Sequence, residues 1–195
     1  MTTMTTPARR SRTQYFTASS LDGFIADAQE SLDWLAEPDD PNDSTYRDFI
    51  ADIGAIAMGS GTYEWIRRHL VTTGDSWPYT QPTWVFSSTP RFGIPGASIT
   101  FCRGDVRPVH AEMLAAADRR NIWVAGGGDL AGQFLDAGLL DDCFIQYSLA
   151  TLGSGKPLLP RRAVGRLQLA SVRPIGTTMV AMHLVVKHDD VRSAP

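Results

Sequence analysis

The chain has 195 residues, 43% of them hydrophobic and 20% charged, with a formal net charge of −3. That is enough for one domain with an ordinary core and no disulfide staples. The mild acidity argues against an electrostatic grip on nucleic acid, and no apolar run approaches the roughly 20 residues of a membrane span.

Cys102 and Cys143 lie far apart and make no metal pattern, which fits a reducing, cytoplasmic setting. Residues 1–12 are polar and basic without the apolar centre of a secretory signal, so they read as a disordered tail and 13–188 as a single domain. Gln14 to Ser20 is the first expected strand, followed by the turn Leu21-Asp22-Gly23 and a second apolar run, Phe24-Ile25-Ala26. A polar stretch from Asp27 to Asp43, containing Trp34, has the length of a functional loop. Ser44 to Ile53 is expected to be helical, with Tyr46, Phe49, Ile50 and Ile53 on one face and Gly54 ending it.

Ile56-Ala57-Met58 reads as a buried strand, Gly59-Ser60-Gly61 as a tight turn, and Thr62 as the N-cap of a helix through His69. Thr83 to Phe86 is a strand that ends at the hydroxyl cluster Ser87-Ser88-Thr89, with Arg91 just after. Ile99 to Cys102 is a strand, and Val106 to Arg120 an amphipathic helix with Pro108 in its first turn. Ile122-Trp123-Val124, Gly126-Gly127-Gly128 and the recurrence of Leu130, Phe134 and Leu135 repeat the strand, glycine turn and helix pattern, with Gly138 closing the helix. Asp142 to Thr151 is a strand and Leu152 to Pro160 a loop, and Leu167–Val172 with Thr177–Lys187 form a closing antiparallel hairpin. Alternating strands and helices imply crossovers, hence an α/β fold with a central mixed, mainly parallel sheet and helices on both faces.

The usual catalytic hardware is missing. His110-Ala111-Glu112 has the H-x-E spacing of zinc deaminases but no P-C-x-x-C partner, so no metal site is expected. His69, His183 and His188 accompany no nucleophile pattern, and no G-x-S-x-G or G-K-[ST] motif occurs. The two glycine turns remain. Each opens a helix whose first N–H groups favour an anion, typically phosphate; the alternative is close helix–strand packing with no ligand. Ser87, Ser88, Thr89 and Arg91 could hold a third phosphate, or could simply form a turn. With no thiol pair or metal, a redox reaction would draw on a bound cofactor.

Four stretches, ASSLDGFIA (18–26), MGSGTYE (58–64), VFSST (85–89) and the run from Ile122 to Pro160, together resemble the dihydrofolate reductase fold. They are most similar to the family of the C-terminal reductase domain of the bifunctional riboflavin-biosynthesis protein. The resemblance implies a three-layer fold, NADPH bound along one sheet edge, no flavin or metal, and a homodimer. It implies that Ala18 and Ile25 bracket the nicotinamide and that Gly59, Ser60, Gly61 and Thr62 surround pyrophosphate and ribose. It further implies that Ser87 and Ser88 sit on the adenine side, and that Gly126, Gly127, Gly128, Asp129 and Leu130 make the diphosphate turn. Where the family has G-R-x-T-Y, Ser60 replaces the arginine that pairs with the 2′-phosphate, so NADPH preference leans on Ser87, Ser88 and Arg91, and NADH is possible. Asp129 sets a carboxylate beside the turn, where it could cap the helix but would oppose a phosphate.

On the substrate side, Asp43 matches the carboxylate of dihydrofolate reductases and Trp34 the neighbouring tryptophan; Asp22 is a second acid near the nicotinamide. Tyr46 and Phe49 would floor the pocket with Trp34. The strand YFTASS lacks the lysine of the riboflavin enzymes, and no deaminase half is present. The expected reaction is hydride transfer to a C=N or C=O group of a small heteroaromatic, pterin-like or pyrimidine molecule. A nucleotide-binding or sensory module without turnover is the alternative. Ile145, Tyr147 and Leu149 form a strand face that would meet either a partner or the core.

Overall fold

Runs of apolar residues long enough to be buried on both faces build the sheet. A computed structural model describes residues 10–35 and 43–188; the sequence readings for 1–9, 36–42 and 189–195 lie outside these. In chain order the elements are β1 (Thr13–Ser19), β2 (Phe24–Ala26), α1 (Thr45–Ala51), β3 (Ile53–Gly59), α2 (Ser60–Thr73), β4 (Thr83–Phe86) and β5 (Ile99–Cys102). They continue with α3 (Val106–Ala116), β6 (Asn121–Gly126), α4 (Gly128–Asp136), β7 (Asp142–Ser148), β8 (Lys156–Pro157), β9 (Leu167–Ile175) and β10 (Met179–Val186).

The eight-stranded sheet runs in the order β5-β4-β3-β6-β1-β7-β10-β9. Its first six strands are parallel, and β10 and β9 continue it antiparallel. β2 and β8 form a separate two-stranded ribbon. Alternation along each strand divides the core. Phe16, Ile56, Met58 and Trp123 face α1 and α2, while Tyr15, Ala57, Ile122 and Val124 face α3 and α4. This is the expected α/β three-layer arrangement.

Several expected boundaries move. Gly54 does not end α1; Asp52 does, and Gly54 lies in β3. A Cβ at Gly54 would stand 2.1 Å from the Ala117 carbonyl oxygen, so this glycine admits the end of α3 against the strand. Thr62 is not an N-cap: α2 starts at Ser60 with Gly59 capping. α3 stops near Ala117, followed by Asp118 and Arg119 at positive φ. The 152–160 stretch, expected to be all loop, contributes β8. Of the strand face Ile145, Tyr147 and Leu149, Ile145 is buried and Tyr147 packs on the core, while Leu149 lies beyond β7 and is exposed.

Arg10 and Arg12, assigned by sequence to the tail, belong to the fold. The Arg12 guanidinium clasps Asp142 through two donors, Nη2 at 2.7 Å from Oδ1. His183 Nε2 lies 2.9 Å from the same carboxylate and Gln14 Nε2 at 3.2 Å. Asp141 accepts from the Thr13 N–H at 2.8 Å and pairs with Arg10 and His188. This cluster ties the start of β1 and the start of β7 to β10, at the end of the sheet away from the glycine turns. Burial pushes the Asp142 carboxyl upward, but hydrogen bonds from Arg12, His183 and Gln14 outweigh it and hold it below the usual carboxylate range. Asp142→Ala should therefore strip about 2–3 kcal/mol from stability in urea denaturation, since it removes the charge-assisted bonds from Arg12, His183 and Gln14 while water reaches the half-exposed Arg12. In the wild type this contribution is complete above the unfolded-state pKa and is lost as pH falls through the depressed folded-state value. A stability curve with no acid-side loss beyond that of the Asp142→Ala variant would contradict it.

Candidate active site

The parallel pairing of β3 with β6 decides where the two glycine turns meet. Met58 stands opposite Gly126, so both strands end side by side and both turns open onto one edge of the sheet. A Cβ at Gly59 would lie 3.5 Å from the Gly127 nitrogen and 3.7 Å from the Gly126 oxygen. Gly126 has φ +141, and a Cβ there would approach Thr62 Oγ1 to 3.0 Å. A Cβ at Gly128 would lie 2.2 Å from the Pro157 carbonyl oxygen. At Gly128 a side chain would be driven into the backbone at Pro157 and Leu158, so this glycine admits their close approach, whereas the Gly59 position keeps ordinary contact distance to the second turn. α2 begins at Ser60 and α4 at Gly128, so the first N–H groups of both helices, without intrahelical acceptors, converge here.

Between the turns lies a cleft of about 340 Å³. Gly61 and Thr62 line it from α2, Gly126 to Asp129 from the other turn, and Ile25 from β2. Ser87 and Ser88 follow β4, whose Phe86 is paired with Gly59, so they extend the same edge outward. Ser87 Oγ accepts from Arg91 Nε at 3.2 Å, and Arg91 also reaches Glu64 at 3.1 Å. The side chain of Leu130 is in the core, which leaves its peptide N–H as its contribution to the edge. Ala18 is on β1, and its neighbour Thr17 is the β1 residue on the cleft wall.

Sequence reasoning missed part of the wall: Thr17, Glu30, Leu32, Trp65, Arg68 and Lys156. Thr62, Trp65 and Arg68 recur every third residue along α2, and that spacing is the signal that could have found them. Lys156 crosses from β8 to Glu30 at 2.7 Å and carried no such signal.

The acids are all paired. Asp129, which alone would oppose a phosphate, is 2.8 Å from Arg161, and Arg161 also pairs with Asp136 at 2.8 Å. Arg161 lies along α4 because Gly132 leaves room: a Cβ there would meet Arg161 Cγ at 2.6 Å. Hydrogen bonds from Gln133 and then Arg161 hold Asp129 below the usual carboxylate range. Asp43, at the start of α1, bonds to Thr45 and to Arg173 of β9 at 2.9 Å. Burial pushes its carboxyl up, and those bonds outweigh it and keep it low. Asp22 is turned to another task. It accepts from Ser20 Oγ at 2.6 Å and from the N–H groups of Leu152 and Gly153, clamping the loop after β7 to the β1–β2 turn. Those bonds, the Ser20 hydroxyl first, hold it low as well. Tyr46 and Phe49 belong to an aromatic cluster on the α1 face; Phe49 stacks on Phe16 at 4.4 Å. The Trp34 indole N–H is buried without a partner among the described residues. Among the described residues no His, Cys, Asp and Glu group could hold a metal.

The family model of the RibD C-terminal domain matches residues 13–181. The chain belongs to the RibD C-terminal domain family. It is 33% identical over 148 residues to the uncharacterized protein YwjB of Bacillus subtilis, covering 75% of this chain and 82% of that one. Among solved structures it is similar to a Shewanella sp. PV-4 chain provisionally designated a riboflavin biosynthesis protein, at TM-score 0.76 and 24% identity over 91% of this chain and 99% of the other. It is also similar to the dihydrofolate reductase of Enterococcus faecalis solved with NADP(H), at TM-score 0.61 and 14% identity over 91% and 97%. At these identities the likeness carries the dihydrofolate reductase-like fold, in agreement with the expectation from sequence. Among the described residues of this RibD C-terminal domain, no helix is long and apolar enough to cross a membrane.

Arg161→Gln should uncover the Asp129 charge and weaken dinucleotide binding by up to about fivefold, the scale of a partly exposed charge interaction of ~1 kcal/mol. Adding Asp129→Asn should restore it. Calorimetric titration of both variants checks this, and a loss that the second change leaves untouched would remove charge as the cause.

Proposed function

We propose that this protein is an NADPH-dependent reductase acting on a C=N or C=O group of a small planar heteroaromatic, pterin-like or pyrimidine molecule. The observation that carries the reading is the convergence of two glycine turns and two helix starts on one cleft, with Gly59 and Gly127 in near contact. Backbone N–H groups at Ser60 to Thr62 and at Gly128 to Leu130 suit a diphosphate. Ile25 and the β1 residues Thr17 and Ala18 suit the flat nicotinamide end. Ser87, Ser88 and Arg91 suit a 2′-phosphate, because two hydroxyls and a guanidinium make charge-assisted bonds to its oxygens. Ser60 brings no charge, so NADH shares every contact except those three. The bound nicotinamide would supply the hydride; the protein orients the partners and shapes the field around them. Among residues outside the cofactor cleft, Trp34, Tyr46 and Phe49 supply stacking surface and an indole N–H. Asp22 is left with a supporting role through its loop clamp.

Asp43 is the carboxylate assigned to the chemistry. Held ionised by Thr45 and Arg173, it favours a protonated, cationic C=N in the substrate more than it donates a proton itself. The homodimer and the cytoplasmic setting are carried by the family resemblance and the free cysteines.

One observation favours the other reading, a dinucleotide-binding module without turnover: Glu30, Asp43 and Asp129 are all ion-paired. Loss of nicotinamide absorbance on adding pterins, pyrimidines or quinones separates the two. Binding without turnover for every candidate would favour the module.

Ser87→Ala with Ser88→Ala should weaken NADPH more than NADH, by about tenfold against about twofold, on the scale of hydrogen bonds to a charged group. Equal loss for both dinucleotides in fluorescence titration would take the hydroxyls out of the phosphate pocket. Asp43→Asn should slow turnover about a hundredfold while leaving dinucleotide affinity within about twofold, the size expected for one charge acting in the chemical step. Unchanged rates would remove Asp43 from the site.

A further inference from the structure

β1, β7, β10 and β9 lie side by side, and their register sets one row of residues across the sheet: Ala18 opposite Gln146, Gln146 opposite Ala181, Ala181 opposite Arg173. Side chains in such a row share a face. The face is the α1 side, because Phe144, two residues before Gln146, packs there against Phe49 at 5.8 Å and Arg173 bonds Asp43 at the start of α1. Gln146 is half-buried, yet among the described residues its carboxamide makes no hydrogen bond. Its lateral neighbours are alanines too short and too apolar to satisfy it. The amide atoms are reached by solvent and not sealed in the core, so a ligand can take both the donor and the acceptor that a carboxamide offers side by side.

We propose that Gln146 is a specificity-determining residue of this enzyme, reading the adjacent N–H and C=O groups of a planar heterocycle laid against the α1 face. This inference rests on the reductase reading above and adds to it the residue that selects the substrate. The small side chains of Ala18 and Ala181 leave the amide open from both sides. Phe144, stacked flat on His183 at 4.2 Å, and Phe49 give the ring an aromatic wall. The Asp43–Arg173 pair closes the row beyond Ala181 with fixed charge. Complementary pairing of amide with amide demands both groups on the ligand, so a ring without them leaves Gln146 unpaired and binds worse.

The test uses two probes of one ring system: lumazine, which carries adjacent N–H and C=O groups, and unsubstituted pteridine, which does not. Each is titrated calorimetrically into the full chain with NADP+ present, against wild type, Gln146→Met and Gln146→Glu. Wild type is expected to prefer lumazine by about tenfold or more. Gln146→Met, of matching length, should lose that preference while holding pteridine within about twofold and melting within a few degrees of wild type. Gln146→Glu, which keeps acceptors but loses the N–H donors, should fall between the two. If Gln146→Met keeps the preference, or if wild type binds NADP+ but does not distinguish the rings, the inference is overturned and the cofactor reading stands. If wild type does not bind NADP+, the reductase reading itself fails, and the role of Gln146 fails with it.

Discussion

A parallel pairing of two short strands, β3 and β6, is the constraint on which the rest of this molecule depends. Each ends in glycine, and Met58 opposite Gly126 brings both endings to the same height. Parallel strands carry their crossover helices from the same edge, so the starts of α2 and α4 emerge together. Neither helix start alone would say much. Two of them, with unsatisfied N–H groups turned toward one cleft and the Thr62 hydroxyl beside Gly126, make a place where an extended anion can lie.

Electrostatics at that edge follow a consistent plan. Glu30 and Asp129 stand on the cleft wall, and Glu64 precedes the wall residue Trp65 on α2. Each is met by a cation from a different part of the chain, Lys156 for Glu30, Arg161 for Asp129 and Arg91 for Glu64, and on the α1 side of the sheet Arg173 meets Asp43 in the same way. The pairing leaves the amide dipoles and the Arg68 guanidinium on the cleft wall as the local positive field. It also ties loops and the edge strand β9 to the helix starts, so that charge balance and position are set by the same bonds. Surface pairs of this kind add little stability singly. Their effect is on geometry.

The far end of the sheet is built differently. There Asp141 and Asp142 are nearly inaccessible, and Arg12, His183, Gln14 and the Thr13 N–H satisfy them. That cluster ties β1 and β10 to β7, the strand that lies between them. The cleft end can then stay open and polar without loosening the fold, a division of labour between the two strand ends that open α/β sheets commonly show.

Much of this was legible in the residues. Apolar runs marked β4 and β5 at their observed bounds and the centres of β3 and β6, because short apolar runs set off by turn residues read as strands; the first residues of β3 were read into α1, since Ile53 also fits that helix's apolar spacing. The two glycine turns, and the hydroxyls after β4, could be read as phosphate chemistry because backbone N–H groups at a helix start act locally. The joint order of four such stretches was enough to suggest the family. Arg12 was missed because its partner is 130 residues away. So were Arg161 beside Asp129, Arg173 beside Asp43, and the open amide of Gln146 between two alanines. Such facts belong to register and crossover, which bring together residues that no local spacing relates. Local residue order pointed to the backbone segments whose N–H groups stand free at a helix start. Only the folded sheet decided which charges stand next to them, because a salt bridge depends on distance in space and local sequence pattern does not encode it.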